Sequence, residues 1–167
     1  EGKITLESTI DKYLDLPDGN TYPTIEELLT HTSGYKSHYF EKPMVANFFK
    51  GRNDFYGVTK EMTLERLGKT NVDKESYRFK YSNFGFATLG LVLEAVYDTD
   101  YAILCNDFLQ NELGLKNTKI SDMNGDLGKY WDWNKTDAYL SAGAITSDIS
   151  DMLKYAQLQL DDNNVFS

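Results

Sequence analysis

The run from Phe84 to Tyr97, Phe-Gly-Phe-Ala-Thr-Leu-Gly-Leu-Val-Leu-Glu-Ala-Val-Tyr, constrains the fold of this chain more than any other segment. It predicts a helix whose apolar side chains cover nearly every face instead of one stripe. Such a helix is stable only where neighbouring elements cover several of its sides. We therefore expect it to be the buried centre of a helical structure. No apolar run here approaches the ~20 residues needed to span a bilayer.

The three residues before this run, Tyr81-Ser82-Asn83, are candidates for chemistry. A Tyr and an Asn two residues apart at the start of a buried helix can both point into one cleft. A phenol transfers protons when neighbouring cations lower its pKa, and a carboxamide can hold a substrate amide. Alone, however, a Tyr-x-Asn pattern carries little information.

Several other segments, in a fixed order along the chain, raise the value of this pattern. They are Glu1-Gly-Lys-Ile-Thr-Leu6 with Tyr13-Leu14, Leu28-Leu-Thr-His-Thr-Ser-Gly34, Leu113-Gly-Leu-Lys-Asn-Thr118 and Ser141-Ala-Gly-Ala-Ile-Thr-Ser-Asp148. Together with Tyr81-Ser82-Asn83 they resemble the serine β-lactamase and penicillin-binding-protein superfamily. The branch they resemble contains class C β-lactamases, D-alanyl-D-alanine carboxypeptidases and esterases.

The resemblance implies the helical lobe of the family's α/β fold, so we expect a mainly α chain, 1–167, that forms a single helical domain and lacks most of the antiparallel sheet. It implies that Tyr81 transfers a proton between the nucleophile and the leaving group, and that Asn83 binds the substrate amide. The reaction would form an acyl-enzyme with a β-lactam, a D-Ala-D-Ala peptide or a small ester. It implies no cofactor, no metal and an extracytoplasmic or cell-envelope location.

Two motifs of that superfamily are missing, the nucleophile motif Ser-x-x-Lys on a helix and the Lys-[Ser/Thr]-Gly or His-x-Gly motif. Lys69-Thr70-Asn71 is the nearest match to the second. Ser33-Gly-Tyr-Lys36 has the spacing of the first, but we expect Gly34 to end a helix there, which would keep Ser33 and Lys36 off one helical turn. We expect an internal fragment, without turnover alone, whose parent carries Ser-x-x-Lys upstream of Glu1.

Composition narrows the range of partners. The chain has 17 basic and 26 acidic residues and a net charge of −9, which argues against nucleic acid or an anionic membrane. The expected substrate is a small molecule or a peptidoglycan-like compound. A lobe without its sheet leaves apolar surface exposed, so we also expect self-association.

Local patterns predict further helices around the central one. They are a helix opened by the capping box Thr24-Ile-Glu-Glu27, helices at Pro43–Phe49, Thr63–Leu67 and Tyr101–Leu113, and a last helix capped by Ser147. On that last helix, Ile149, Met152, Leu153, Ala156 and Leu160 share one face, while Asp148, Asp151 and Lys154 are predicted outside. Tyr77–Tyr81 is the best candidate strand, and parts of 117–137 are predicted to form a long irregular loop.

Other residues that invite a functional reading have simpler explanations. His31 in Thr30-His31-Thr32-Ser33 is expected to stabilise a turn, because residues two apart on a helix do not face each other. A metal site from His31, His38 and Cys105 has no supporting ligand spacing. The Tyr130-Trp131-Asp132-Trp133 cluster is either core or the rim of a substrate site. Gly143 is expected to allow a close approach of backbones.

Two rival hypotheses remain open on the sequence alone. The chain could belong to a non-catalytic binding or sensor module that keeps the fold without the chemistry. It could also be a helical interaction domain with chance similarity, in which case Tyr81 and Asn83 would not share a concave face.

Overall fold

The structure, a computed structural model, describes residues 2–73, 77–122, 124, 127–128 and 131–161. Within these residues it is a helical assembly with one small sheet. The α-helices in chain order are α1 (Ile25–Leu29), α2 (Lys42–Lys50), α3 (Lys60–Gly68), α4 (Asn83–Tyr97), α5 (Tyr101–Asp107), α6 (Leu140–Gly143) and α7 (Ile149–Leu160). A 3₁₀ turn covers Ile10–Lys12, and a π-helical turn, Phe108–Glu112, continues α5. Strands β1 (Lys119–Ile120) and β2 (Ile145–Thr146) pair antiparallel, with Ile120 opposite Ile145. The expected helical lobe, without most of the sheet, is confirmed.

The central helix is α4, as its composition predicts. Helices α1, α3, α5 and α6 all contact it. Its closest neighbour is α6, because Gly90 of α4 has no side chain and Ser141 of α6 occupies the space where a Cβ would be. The Ser141 hydroxyl donates to the carbonyl of Phe86 at 2.8 Å. The close approach that we expected at Gly143 therefore lies at Gly90 and Ser141. A Cβ at Gly143 would meet the Trp133 ring at an ordinary contact distance of 3.7 Å.

Helix ends follow their sequence signals closely. Thr24 and Glu27 form the reciprocal capping box that opens α1. Gly51 ends α2 in the left-handed region, with φ of 57°. Helix α3 begins at Lys60, three positions before the predicted start, because the hydroxyl of Thr59 caps it by accepting from the Met62 N–H.

Two local predictions are wrong. Residues 77–81 form no strand: the Tyr77 and Lys80 N–H groups donate to the carbonyls of Thr32 and His31, but no ladder develops. Helix α1 ends at Leu29, so Ser33-Gly34 lies in the loop beyond it instead of at its end. Gly34 there has φ of 79°, and the Tyr77 ring lies against it where a Cβ would be.

The burial of α7 also differs from the prediction, although Asp148 and Lys154 are exposed as expected. Its apolar side chains Ile149, Met152, Leu153 and Leu160 are exposed, whereas Asp151 is buried. Its cap is Asp148 instead of Ser147. Burial raises the pKa of Asp151, but hydrogen bonds from the Asn117 N–H, the Lys154 ammonium and the Thr118 hydroxyl outweigh it and hold the pKa below its usual range. This carboxylate fastens α7 to the start of β1.

No helix among the described residues combines the length and the apolar character required to cross a membrane.

Candidate active site

The segment before α4 places Ser82 inward. Ser82 is 1% exposed, its hydroxyl donates to the Lys36 carbonyl at 2.8 Å, and the same oxygen accepts from the Gly85 N–H as the cap of α4. Its backbone is extended, with φ of −137° and ψ of 106°. Because alternate side chains of extended backbone point to opposite sides, Tyr81 and Asn83 lie on the side away from Ser82. Both residues of the Tyr-x-Asn pattern therefore face outward.

Tyr81 lies against His31. Its side chain is 56% exposed, and the two ring centroids are 4.6 Å apart. Among the described residues, its hydroxyl has no hydrogen-bond partner. The phenol is therefore held by its ring and left free at its polar end.

His31 holds the backbone of the segment 80–82 by hydrogen bonds. Its Nδ1 accepts from the Ser82 N–H at 3.2 Å, its carbonyl accepts from the Lys80 N–H at 2.8 Å, and its φ of 58° lies in the left-handed region. The Phe86 and Phe79 rings lie 5.0 Å and 5.6 Å from its ring centre. The structure thus gives His31 the turn-stabilising role that we expected.

Asn83 is the first residue of α4 and lines a cavity of about 220 Å³. The other lining residues come from two loops and from α6, and they are Asn53, Asp54, Phe55, Trp131, Trp133, Ala142 and Gly143. The part of the chain that the structure describes offers the Asn83 carboxamide no hydrogen-bond partner. An amide at the wall of a cavity, free in this way, can bind a polar group of a ligand. Tyr81 is not among the residues that line this cavity.

The aromatic cluster divides between the two roles that the sequence left open. Trp133 is buried in the core and Trp131 is exposed, yet both line the cavity at Asn83. Tyr130 lies outside the described residues. Asn53 joins this segment to the opposite wall, since its side chain donates to the Asp132 carbonyl at 3.2 Å and accepts from the Phe55 N–H at 3.1 Å. Sequence reasoning missed this wall, although a polar loop after a glycine-capped helix is a common place for a site.

A buried carboxylate holds the loop that follows Trp133. Asp137 accepts from the Gly57 N–H at 2.9 Å and from the Asn134 N–H at 2.8 Å. Burial raises its pKa to about 6, against the lowering effect of those two hydrogen bonds. It connects the loop before α3 to the loop after Trp133. Nothing in the sequence distinguishes this Asp from the exposed ones.

Ser33 lacks the surroundings of a nucleophile. It is buried, and its hydroxyl accepts from the Tyr35 N–H at 3.3 Å within a local turn, whereas Lys36 is exposed. No helical turn holds the two side chains together. Among the described residues, no group of three His, Cys, Asp or Glu side chains could hold a metal ion.

Comparisons with known proteins identify the family. Residues 1–166 match the family model described as beta-lactamase. Protein flp of Staphylococcus aureus (strain MW2) is 27% identical over 129 residues, which are 74% of this chain and 24% of that protein. Among solved structures, a β-lactamase/D-alanine carboxypeptidase from Yersinia pestis, complexed with citrate, is 24% identical and has a TM-score of 0.72. The match covers 94% of this chain and 47% of that one.

EstCE1, a hydrolase with promiscuous acyltransferase activity, is 21% identical, with a TM-score of 0.67 over 98% of this chain and 54% of that one. These structural likenesses support the fold alone. The chain spans about a quarter of the length of the curated relatives and about half of the length of the solved structures. Because the family model matches nearly its whole length, the chain belongs to the β-lactamase family.

Proposed function

We propose that this chain carries the Tyr-x-Asn part of the active site of a serine hydrolase that works through an acyl-enzyme. One observation carries the proposal. Tyr81 and Asn83 both face outward from the inward-pointing Ser82, and the polar end of each has no hydrogen-bond partner among the described residues. The family match and the cavity beside Asn83 support it.

In the proposed reaction, a serine hydroxyl attacks the substrate carbonyl and becomes acylated. Tyr81, in its ionised form, accepts the serine proton and passes it to the leaving nitrogen or oxygen, and water later releases the acyl group. Asn83 donates a hydrogen bond from its carboxamide to the amide carbonyl of the substrate. An ionised phenol needs a nearby cation. We propose that the nucleophilic Ser, its Lys and the cation of the third motif come from elsewhere in the protein.

The isolated chain should accordingly have no turnover, because it has no Ser-x-x-Lys on a helical turn and no Lys-[Ser/Thr]-Gly. The substrate classes that fit are a β-lactam, a D-Ala-D-Ala peptide and a small ester, all of which transfer an acyl group to a hydroxyl. These are small molecules or peptidoglycan-like compounds. Members of this family are typically periplasmic or secreted, so we place the site outside the cytoplasm.

Labelling with a fluorophosphonate or a reactive β-lactam tests this function in the complete protein. We expect mass spectrometry to find the label on a Ser outside this chain, and Tyr81→Phe to slow acylation by about 10²–10⁴. Tyr155→Phe on α7 is the matched control and should leave the rate unchanged. A label on Ser33, or a Tyr81→Phe variant as fast as the control, would refute the proposed roles.

The same experiment separates the alternative of a binding or sensor module. A complete protein that binds the β-lactam reversibly, and is never acylated on any Ser, would be such a module. In that case Asn83→Ala should still weaken binding, whereas Tyr81→Phe should have no effect.

A further inference from the structure

A second depression, which we call the aryl groove, lies between α2 and the loop that follows it. It has a volume of about 410 Å³, and its apolar lining consists of Phe40, Met44, Val45, Phe48, Phe49 and Phe55. Phe48 and Phe49 are 75% and 82% exposed. This volume lies within the range of roughly 300–1,000 Å³ that is typical of small-molecule sites.

The walls of the aryl groove are fixed, although its aromatic rings are exposed. At the end of α2, the buried Asn47 side chain donates to the carbonyls of Asp54 and Tyr56, at 3.1 Å and 2.7 Å. At its start, Arg66 of α3 pairs with the Glu41 carboxylate at 2.9 Å and donates to the Phe40 carbonyl at 3.2 Å. Because both ends of α2 are held in this way, the helix cannot roll to bury Phe48 and Phe49.

The aryl groove is continuous with the cavity at Asn83. Asp54 and Phe55 line both spaces. The Phe55 ring is stacked on the buried Tyr139 at 4.1 Å, and its N–H is held by Asn53, so this shared wall is rigid. A ligand bound at Asn83 can therefore extend past Phe55 onto α2.

We propose that the aryl groove binds a neutral, apolar arm of the substrate, an alkyl or aryl group attached to the carbonyl that Asn83 holds. This inference rests on the proposed function and specifies its substrate class. Besides its apolar side chains, the groove is lined by His38 and Asp54. The Asp54 carboxylate at the junction and the net charge of −9 disfavour an anionic arm. The natural acyl donor accordingly carries several apolar carbons on its acyl side.

The test compares ligands that differ in chain length, in the complete protein. Butanamide and octanamide report binding in ligand-observed NMR titrations. The p-nitrophenyl esters of N-butanoylglycine and N-octanoylglycine, which carry the amide carbonyl beside a scissile ester, report turnover. Each buried methylene improves binding by up to about fourfold. Since the groove is open on one side, we expect octanamide to bind at least about tenfold more tightly than butanamide, and kcat/KM of the esters to follow the same order.

The Phe48→Ser/Phe49→Ser double variant should abolish this preference for the longer chain. Both residues are exposed, so the variant should fold normally. Ile103→Ser on α5 is the matched control, since Ile103 is 61% exposed on a different helix, and it should keep the preference. Equal binding of the two amides, or a preference that survives the double substitution, would overturn the inference. The inference would also be overturned if the double variant kept the preference for the longer chain and lost only binding to lipid vesicles or dimerisation.

These outcomes are distinguishable from failure of the proposed function. Length-dependent binding of the amides without any ester turnover would refute the reaction and support the groove. Turnover of both esters at one rate, with equal amide binding, would support the reaction and refute the groove.

Discussion

Replacing His31 tests how the Tyr-x-Asn segment is held. His31→Phe keeps an aromatic ring against Tyr81 and Phe86 but removes the Nδ1 acceptor. The Ser82 N–H would then be left unpaired in a residue that is 1% exposed. An unsatisfied buried N–H costs about 1–3 kcal/mol. For a chain of this length each kcal/mol lowers Tm by about 2–4 °C, so we expect Tm to fall by about 2–12 °C.

His31→Asn provides the complementary change. Asn tolerates the left-handed backbone that His31 adopts, with φ of 58°, and its side-chain oxygen can replace Nδ1 as the acceptor. It loses instead the ring contacts, which contribute about 0.5–1.5 kcal/mol per aromatic pair. His38→Phe is the control, because His38 is exposed and Phe can keep the ring contact that His38 makes with Phe55, so stability should change by about 0.5 kcal/mol or less.

Thermal unfolding followed by circular dichroism measures all three variants. If His31→Phe is as stable as His38→Phe, the bond from Ser82 to His31 does not stabilise the segment and our account of the site is wrong. In the complete protein the same variants should separate in acylation rate. His31→Asn should retain more activity than His31→Phe, since it keeps the acceptor that fixes the backbone between Tyr81 and Asn83.

Three further expectations concern stability and association. Leu91→Asp should abolish the cooperative circular-dichroism transition, because it places an unpaired charge in the core. Leu160→Asp on the exposed face of α7 is the control and should keep the transition. Equal melting curves for the two variants would contradict the buried position of α4. Asp137 has a pKa of about 6 in the folded state and 3.8 unfolded, so the folded state binds more protons between these values. Urea unfolding should therefore show wild type losing about 2 kcal/mol relative to Asp137→Asn as the pH rises from 4 to 6, and a gain would refute the sign. Sedimentation should show the chain self-associating through its exposed apolar surface and Leu153→Glu reducing this; a monomer at high concentration would contradict it.

The helices were largely predictable because their signals are local. The capping box at Thr24, the glycine after α2 and the all-round apolar run of α4 each act within a few residues, and the structure realises all three. The helical lobe followed from the resemblance and not from these patterns. Its arrangement around α4 depends on Gly90, where the absence of a side chain brings α6 close. No local rule identifies that glycine as a contact.

The orientation of α7 was not predictable, because periodicity shows that a helix has an apolar face and not what covers it. The sequence assigned Asp151 to the outer face on its charge. In the structure, the Asn117 N–H and the Thr118 hydroxyl compensate its burial, and both are more than thirty positions away along the chain. The cavity walls were missed for the same reason, since Asn53 meets the Asp132 carbonyl across 79 positions.

The central residue of the Tyr-x-Asn pattern explains why the two outer residues are available for chemistry. The N–H of Ser82 is taken by His31, and its hydroxyl both donates to the Lys36 carbonyl and accepts from the Gly85 N–H. Two residues far upstream, His31 and Lys36, and one residue in the first turn of α4 therefore hold Ser82 inside. The alternation of extended backbone then turns both neighbours outward, where the polar ends of Tyr81 and Asn83 find no hydrogen-bond partner within the part of the chain that the structure describes. A larger apolar residue at position 82 could not make the two hydroxyl bonds. The geometry of the site therefore depends on Ser82, which does not face the substrate, as much as on Tyr81 and Asn83.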